Sequence, residues 1–320
     1  MTEVPTCAIL DDYQDVALKS ADWSSLAGRV TLRRFSHPFG SEDEVAAALA
    51  DCEIVVVMRE RTPFPASLLS RLPKLRLLVT GGMRNRSIDL AAARQRNVIV
   101  CGTAGAGDPA AELCWAGILA FLRDIPREVA NLRAGGPWQI GIGTSVGGKR
   151  LGVVGLGRLG SRMVRVGQAF DMQVSGWTRR DLEARADTLG IQPLLLPQLF
   201  EQSDIIVLQL SLTAETKGII DLSLLERMKP GAILVNTARG PLVDEAALVR
   251  ILSEGRIRGA VLDVFESEPL PPDHPFRRLP NVLATPHMGY VTQETYHAYY
   301  SGAIEAINAW LDGAPIKVLV

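Results

Sequence analysis

The chain has 320 residues, 47% hydrophobic and 22% charged, which is apolar material enough for two globular domains and argues against a disordered polymer. Its 34 Lys and Arg nearly cancel its 35 Asp and Glu, so no overall field draws it to nucleic acid or an anionic membrane surface, and any anion must be caught locally. Met1 to Asp12 lacks a basic region followed by an apolar signal-type stretch, and no run approaches the ~20 apolar residues that span a bilayer, so a soluble cytoplasmic protein is expected.

Short apolar runs alternate with helix-like stretches from the start. Cys7 to Leu10, Ile54 to Met58, Leu75 to Thr80 and Val98 to Cys101 read as strands. Ser41-Glu42-Asp43-Glu44 before Val45 to Leu49 has the form of a capping box opening a helix. Pro109 suits the first turn of a long apolar helix, and a Gly-rich polar stretch from Ala134 to Lys149 reads as a linker or protruding arm. A second series of strands follows: Leu151 to Val154, Met172 to Trp177, Ile205 to Leu210, Ala232 to Asn236, Gly259 to Val264 and Val282 to Ala284. Repeated β then α with β-branched strands implies α/β architecture, two doubly wound parallel sheets covered on both faces.

The four cysteines, Cys7, Cys52, Cys101 and Cys114, form no C-x-x-C pair and read as buried thiols of a reducing compartment. The four histidines, His37, His274, His287 and His297, have no zinc-site spacing, so no metal is expected; His274 is read as shaping a loop, and His37 and His297 as structural or exposed. Gly143-Thr144-Ser145-Val146-Gly147 matches a nucleophile elbow in letters but lies in the polar linker, not between a strand and a helix, which argues against a serine hydrolase.

Gly155-Leu156-Gly157-Arg158-Leu159-Gly160 follows a strand and opens a helix read as Ser161 to Phe170. In that setting the first glycine permits a tight turn, the second lets backbone approach a pyrophosphate, and the third allows close packing. The helix N-terminus then offers N–H groups to the phosphates. The next strand ends in Gly176-Trp177-Thr178-Arg179-Arg180, without the carboxylate that usually holds the ribose of NAD. Arg179 and Arg180 suit a 2′-phosphate, which favours NADP over NAD; the alternative is a solvated basic turn.

With Asn236-Thr237-Ala238-Arg239-Gly240, Leu262-Asp263-Val264-Phe265-Glu266-Ser267-Glu268-Pro269 and Thr285-Pro286-His287 added to the glycine motif, nearly the whole chain resembles the D-isomer-specific 2-hydroxyacid dehydrogenases. The resemblance implies NAD(P)-dependent hydride transfer to or from a small 2-keto or 2-hydroxy acid, of the glyoxylate or hydroxypyruvate reductase kind. It makes Arg239, Glu268 and His287 the catalytic residues. Arg239 would grip the substrate carboxylate and polarise its carbonyl, while Glu268 would bond His287 and favour its protonated form for proton donation to the keto oxygen. Arg158 and Leu159 would offer backbone to the pyrophosphate, Thr237 and Ala238 would lie along the nicotinamide, and Asp263 would hold its carboxamide. Gln209-Leu210-Ser211 stands where the family has His-x-Pro, so contacts of Leu210 and Ser211 on the adenine side depart from the pattern.

On the substrate side, Gly81-Gly82-Met83-Arg84-Asn85 resembles the family loop whose N–H groups bind the substrate carboxylate, with Gly82, Met83 and Arg84 in contact and Arg59 adding specificity. The implied organisation is a discontinuous substrate domain, 1–103 with 290–320, and a Rossmann cofactor domain, 104–289, hydride passing in the cleft between them. The segment 134–148 resembles a dimerisation arm and implies a homodimer. The rival from another class is a dinucleotide-sensing binding protein of the same fold, like the corepressors, with little turnover. Formate- or phosphite-type relatives are a further alternative, disfavoured by the Glu268 and His287 pair.

Overall fold

Each apolar run that alternates in the sequence with a helix-like stretch becomes one strand of a parallel sheet in a computed structural model of the protein, which describes residues 4–320. The chain divides into two units, one made of the segment ending at Gly107 together with Val291–Val320, the other Asp108–Tyr290. In chain order the elements of the first are β1 (Thr6–Ile9), α1 (Ala17–Ser20), β2 (Thr31–Arg34), α2 (Glu42–Leu49), β3 (Ile54–Val57), α3 (Ala66–Ser70), β4 (Leu77–Thr80), α4 (Leu90–Gln95) and β5 (Ile99–Gly102). The second unit holds α5 (Pro109–Leu122), α6 (Ile125–Arg133), β6 (Arg150–Val154), α7 (Arg158–Ala169), β7 (Gln173–Trp177), α8 (Leu182–Leu189), β8 (Gln192–Pro193), α9 (Leu196–Gln202), β9 (Ile205–Leu208), α10 (Leu222–Leu225), β10 (Ile233–Asn236), α11 (Glu245–Ser253), β11 (Gly259–Leu262) and β12 (Val282–Ala284). Then α12 (Gln293–Leu311) returns the chain to the first unit.

The first sheet runs β2-β1-β3-β4-β5, all parallel, which is the flavodoxin-like order. Ala8, Leu10, Val55, Val57, Leu78 and Val100 fill one apolar layer beneath α2, α3 and α4, and α12 packs against β4 and β5. Tyr299 of α12 stands so close to Gly81 that a Cβ there would lie 3.0 Å from its ring.

The second sheet runs β12-β11-β10-β9-β6-β7-β8, also parallel, and its buried strands alternate faces residue by residue. Val153, Ile205, Val207, Ile233, Val235 and Val261 join one core; Val154, Ile206, Leu208, Leu234 and Leu262 join the other. From β6 the chain builds outward through β7 and β8, then crosses to the other side of β6 to make β9. The carboxyl ends of β6 and β9 therefore flank a switch point, where open α/β sheets bind ligands.

Some boundaries differ from the sequence reading for identifiable reasons. The helix read as Ser161 to Phe170 begins at Arg158, inside the glycine motif, because Gly157 is its N-cap. β2 and β8 were not anticipated: β2 is an edge strand of largely exposed residues, Thr-Leu-Arg-Arg, and β8 has two residues, so neither carries an apolar run. The unit boundary falls at Gly107/Asp108 instead of after Thr103, and Tyr290 belongs with the second unit, its ring edge-on to His287 at 5.7 Å. Pro109 does open α5, and the stretch from Ala134 to Lys149 contains no helix or strand, Ser145 included. Ser41 caps α2 through the Glu44 N–H, while the Glu44 carboxylate reaches back to the N–H of Gly40.

Candidate active site

Parallel strands place their carboxyl ends along one edge of each sheet, and the residues singled out by the sequence lie there. In the second unit the turn after β6 is the glycine loop. Gly155 has φ +106° and a Cβ would sit 2.6 Å from the Gln209 carbonyl oxygen; at Gly160 a Cβ would be 1.8 Å from the Gly155 carbonyl oxygen. Both must be glycine for the loop to close on β9 and α7. Gly157 differs: a Cβ there would meet nothing within 4 Å. It caps α7 with no side-chain hydrogen bond, so the first turn of that helix presents N–H groups beneath open space. A pyrophosphate fits this cradle. Arg158 pairs with Asp108, and Leu159 is half-buried.

At the end of β7, Thr178 is half-buried while Arg179 and Arg180 are exposed; Arg179 lies 3.5 Å from the Glu215 carboxylate. The first carboxylate after the strand is Asp181, in left-handed conformation at the N-cap of α8. Leu210 is half-buried and Ser211 exposed. Their neighbour Gln209 has a defined task that its departure from the family pattern did not foretell: its amide donates to the Thr237 hydroxyl at 3.2 Å.

Arg239 leaves the end of β10 in a turn built by Asn236, whose side chain accepts from the Ala238 N–H at 3.1 Å and donates to the Arg239 carbonyl at 2.9 Å. The Arg239 guanidinium donates to the Ala238 carbonyl at 2.6 Å. Gly240 follows because the loop after β11 presses against it, leaving only 2.1 Å between a Cβ and the Phe265 carbonyl group. That loop carries Glu268. Its Oε1 accepts from the Phe265 N–H at 2.9 Å, and its Oε2 accepts from His287 Nδ1 at 2.5 Å. Arg239 and Glu268 thus sit on abutting loops, and Glu268 and His287 are in direct contact; both side chains of the pair retain partial exposure, 32% and 26%.

His287 occupies the turn after β12 with φ +49°, a left-handed conformation unusual for a residue with a Cβ. Asp263 holds that turn. Itself 1% exposed, it accepts from the Thr285 hydroxyl at 2.5 Å, the Met288 N–H at 2.9 Å and the Gly289 N–H at 2.8 Å. Burial pushes its carboxyl above the ordinary range, although these donors and the nearby His287 pull the other way. The sequence reading placed Asp263 in the cofactor site but contained nothing of this support; an Asp at a strand end, 22 residues before a turn residue, gives no local signal for it.

In the first unit, Gly82 has φ +90° and its N–H donates to the Thr103 hydroxyl at 3.1 Å. A Cβ on Gly82 would lie 2.2 Å from the Arg59 guanidinium, so the bare backbone lets Arg59 cross the loop toward the Tyr299 hydroxyl, 3.4 Å away. Arg59 is itself left-handed at φ +58°, and its carbonyl accepts from Asn85 at 2.6 Å. Met83 and Arg84 are exposed at the tip. Thr103, Asn85 and Tyr299 were not singled out from sequence, since each acts through a residue distant in the chain. Among the described residues no cluster of three or more His, Cys, Asp or Glu could hold a metal, and no helix is long and apolar enough to cross a membrane.

Known proteins place this arrangement. The profile of the D-isomer specific 2-hydroxyacid dehydrogenase, NAD binding domain, matches residues 115–289. The glyoxylate reductase of Aeropyrum pernix is 38% identical over 255 residues, 77% of this chain and 76% of its own length. The D-3-phosphoglycerate dehydrogenase of Methanocaldococcus jannaschii is 36% identical over 277 residues, 85% of this chain, which spans about half (52%) of that relative. The crystal structure of a phosphoglycerate oxidoreductase from Vibrio cholerae superposes with a TM-score of 0.92 at 34% identity, over 97% of this chain and 100% of that one. The glycine cradle, the Glu268–His287 pair and these similarities together establish that the chain belongs to the D-isomer specific 2-hydroxyacid dehydrogenase family and that its second unit contains the NAD binding domain.

Proposed function

We propose that the protein transfers a hydride between NAD(P) and a small D-2-hydroxy or 2-keto acid, of the glyoxylate or hydroxypyruvate kind. The observation that carries the proposal is the 2.5 Å contact between Glu268 and His287 in the unit that also holds the phosphate cradle. When bound, the nicotinamide supplies two-electron chemistry as hydride donor or acceptor. The protein handles the proton. Because His287 Nδ1 gives its hydrogen to Glu268, Nε2 is the nitrogen that exchanges a proton with substrate oxygen: it donates in reduction and accepts in oxidation. The Phe265 N–H on the other carboxylate oxygen keeps Glu268 from turning away. Arg239 grips the substrate carboxylate. In the first unit's own loop the Gly82 N–H is engaged by Thr103, and the Met83 and Arg84 N–H groups are those suited to an anion.

Gly155, Gly157 and Gly160 with the α7 N-terminus hold the pyrophosphate, and Thr237 and Ala238 border the nicotinamide. NADP is the favoured cofactor. Supporting this, the β7 end bears Thr178, Arg179 and Arg180 with no carboxylate before Asp181; a 2′-phosphate would take over the Arg179 guanidinium from Glu215. Neutral replacements of Arg179 and Arg180 should weaken NADPH more than NADH, and an equal effect on both refutes the phosphate pairing.

The protein acts as a homodimer. In support, α6 and the segment after it expose Ile125, Val129, Leu132, Trp138 and Ile142, the last two at 80% and 97%. Buried free thiols support a reducing, cytoplasmic location.

The experiment is a cofactor-oxidation screen with NADH and NADPH against glyoxylate, hydroxypyruvate, pyruvate and bulkier 2-keto acids. Turnover in the wild type, lowered about 10²-fold or more in His287→Ala and Arg239→Ala with cofactor affinity nearly unchanged, is the expected result. Near-wild-type rates in either variant overturn the assigned role; binding of NAD(H) with no turnover of any 2-keto acid would instead indicate a sensor of the same fold.

A further inference from the structure

The second unit contains another Glu–His pair that the chemistry above does not use. Glu245 opens α11, where the helix N-terminus favours a negative charge, and its two carboxylate oxygens go to two points of one loop. Oε2 accepts from the Glu266 N–H at 3.0 Å; Oε1 accepts from His274 Nε2 at 3.1 Å. His274 Nδ1 accepts from the Phe276 N–H at 3.2 Å, which leaves Nε2 as the protonated nitrogen and fixes the direction of the bond to Glu245. The His274 ring also packs on Phe276, which meets Phe265. Both side chains of the pair are largely shielded, 16% and 19% exposed. Between the two anchored points lies Glu268, two residues beyond Glu266 and six before His274.

We propose that Glu245 and His274 are positioning residues for the reaction. Together they tie the loop after β11 to the rigid end of α11 on either side of Glu268, and through Glu268 they orient His287. The proposal rests on the reading of Glu268 and His287 as the proton-transfer pair. Arg277 also holds the loop at the Leu270 and Pro271 carbonyls, but on the Glu268 carboxylate itself the hydrogen bonds are those from the Phe265 N–H and His287, so without the tie it samples orientations in which the imidazole is unsupported.

The side-chain chemistry suggests the variants. In Glu245→Gln the amide NH₂ must face either the Glu266 N–H or His274 Nε2–H, both donors, so one tether is always lost. His274→Asn can still accept from Phe276 but cannot reach Glu245, whereas His274→Gln places an NH₂ near the former Nε2. With glyoxylate and NADPH as the assay pair, Glu245→Gln and His274→Asn should lower kcat roughly tenfold, part of the 10²–10⁴ that general acid catalysis supplies. The KM for NADPH should not move. The pH profile of reduction should change in the same way as that of Glu268→Gln, and His274→Gln should recover most of the rate lost in His274→Asn.

The deciding measurement is the double variant. Because the pair acts through Glu268, Glu245→Gln should add no further loss in a Glu268→Gln background. The same roughly tenfold loss in both backgrounds overturns the proposal. So do wild-type kcat and pH profile in folded Glu245→Gln or His274→Asn while Glu268→Gln is slow, an outcome that leaves the proton-transfer reading standing. A wild-type rate in Glu268→Gln itself removes both.

Discussion

Asp263 offers the clearest test of how the site is held together, because its replacement has consequences that can be counted. Asp263→Ala deprives the Thr285 hydroxyl and the Met288 and Gly289 N–H groups of their acceptor. A buried donor left unmade costs about 1–3 kcal/mol, toward the lower figure where water can enter, as it can for the part-buried Thr285 and Met288 donors. The three together come to about 3–5 kcal/mol. Relief of the carboxylate's own burial, which raises its proton affinity, offsets part of this, and a net loss of about 2–4 kcal/mol remains. For a unit the size of Asp108–Tyr290, each kcal/mol is about 2–4 °C in Tm, so calorimetry should show a fall of about 4–16 °C. Asp263→Asn keeps Oδ1 for Thr285 and Met288 but turns an NH₂ toward the Gly289 N–H, so its loss should be smaller, about 1–2 kcal/mol. In both variants the left-handed turn at His287 loses its brace, and kcat should fall about tenfold or more. An Asp263→Ala protein that melts within 1 °C of wild type, by the ~2 °C-per-kcal/mol scale, and turns over normally would refute the claim that this carboxylate supports the His287 turn.

The same residue has a pH signature. Its folded-state proton affinity is raised, so between that value and the ordinary aspartate range the folded protein binds more protons than the unfolded chain, and this contribution to stability grows as pH falls. The gap in Tm between wild type and Asp263→Asn should therefore widen on acidification from neutral pH; a constant or shrinking gap contradicts the assignment. Gly157→Ala should fold normally, because its Cβ meets no protein atom, yet bind NAD(P) about tenfold or more weakly. Titration calorimetry showing unchanged affinity would mean that the cradle above Gly157 does not hold the pyrophosphate. By contrast Gly160→Ala, with its Cβ 1.8 Å from the Gly155 carbonyl oxygen, should lose both stability and binding, and wild-type melting would contradict the packing described. Burial pushes the thiols of Cys7 and Cys114 up to about 12 and those of Cys52 and Cys101 to about 11, so an aromatic disulfide reagent at mildly alkaline pH should modify none of the four until denaturant is added. Rapid stoichiometric labelling of the native protein would contradict that burial.

Much of the architecture was legible in the sequence because it is written in neighbouring residues. Two sets of β-branched runs spaced by helical stretches specify buried parallel strands, since a strand covered on both faces is apolar along its length, as Ile205–Leu208 and Ile54–Val57 are. The phosphate loop is likewise local: the left-handed turn at Gly155, the open cradle at Gly157 and the close contact at Gly160 all lie within six residues, and each requires glycine for a reason that backbone sterics supply. Where apolar content was low, at the edge strands β2 and β8, the sequence was silent, because an edge strand is made by its neighbour's hydrogen bonds and not by its own side chains.

The candidate site divides along the same line. Residue types and their order made Arg239, Glu268 and His287 recognisable through a family pattern, but no periodicity could say which nitrogen of His287 meets Glu268 or that Asp263 lies beneath the turn. Those facts depend on β10, β11 and β12 being adjacent, which brings Gly240 onto Phe265, Asp263 onto Gly289 and Glu245 onto both Glu266 and His274. What the amino acids alone determined was where strands, helices and the phosphate turn form, since those follow from interactions between close neighbours. The partners of these polar groups were decided by the tertiary structure, because residues 19 to 29 positions apart meet only after the sheet has set its strand order.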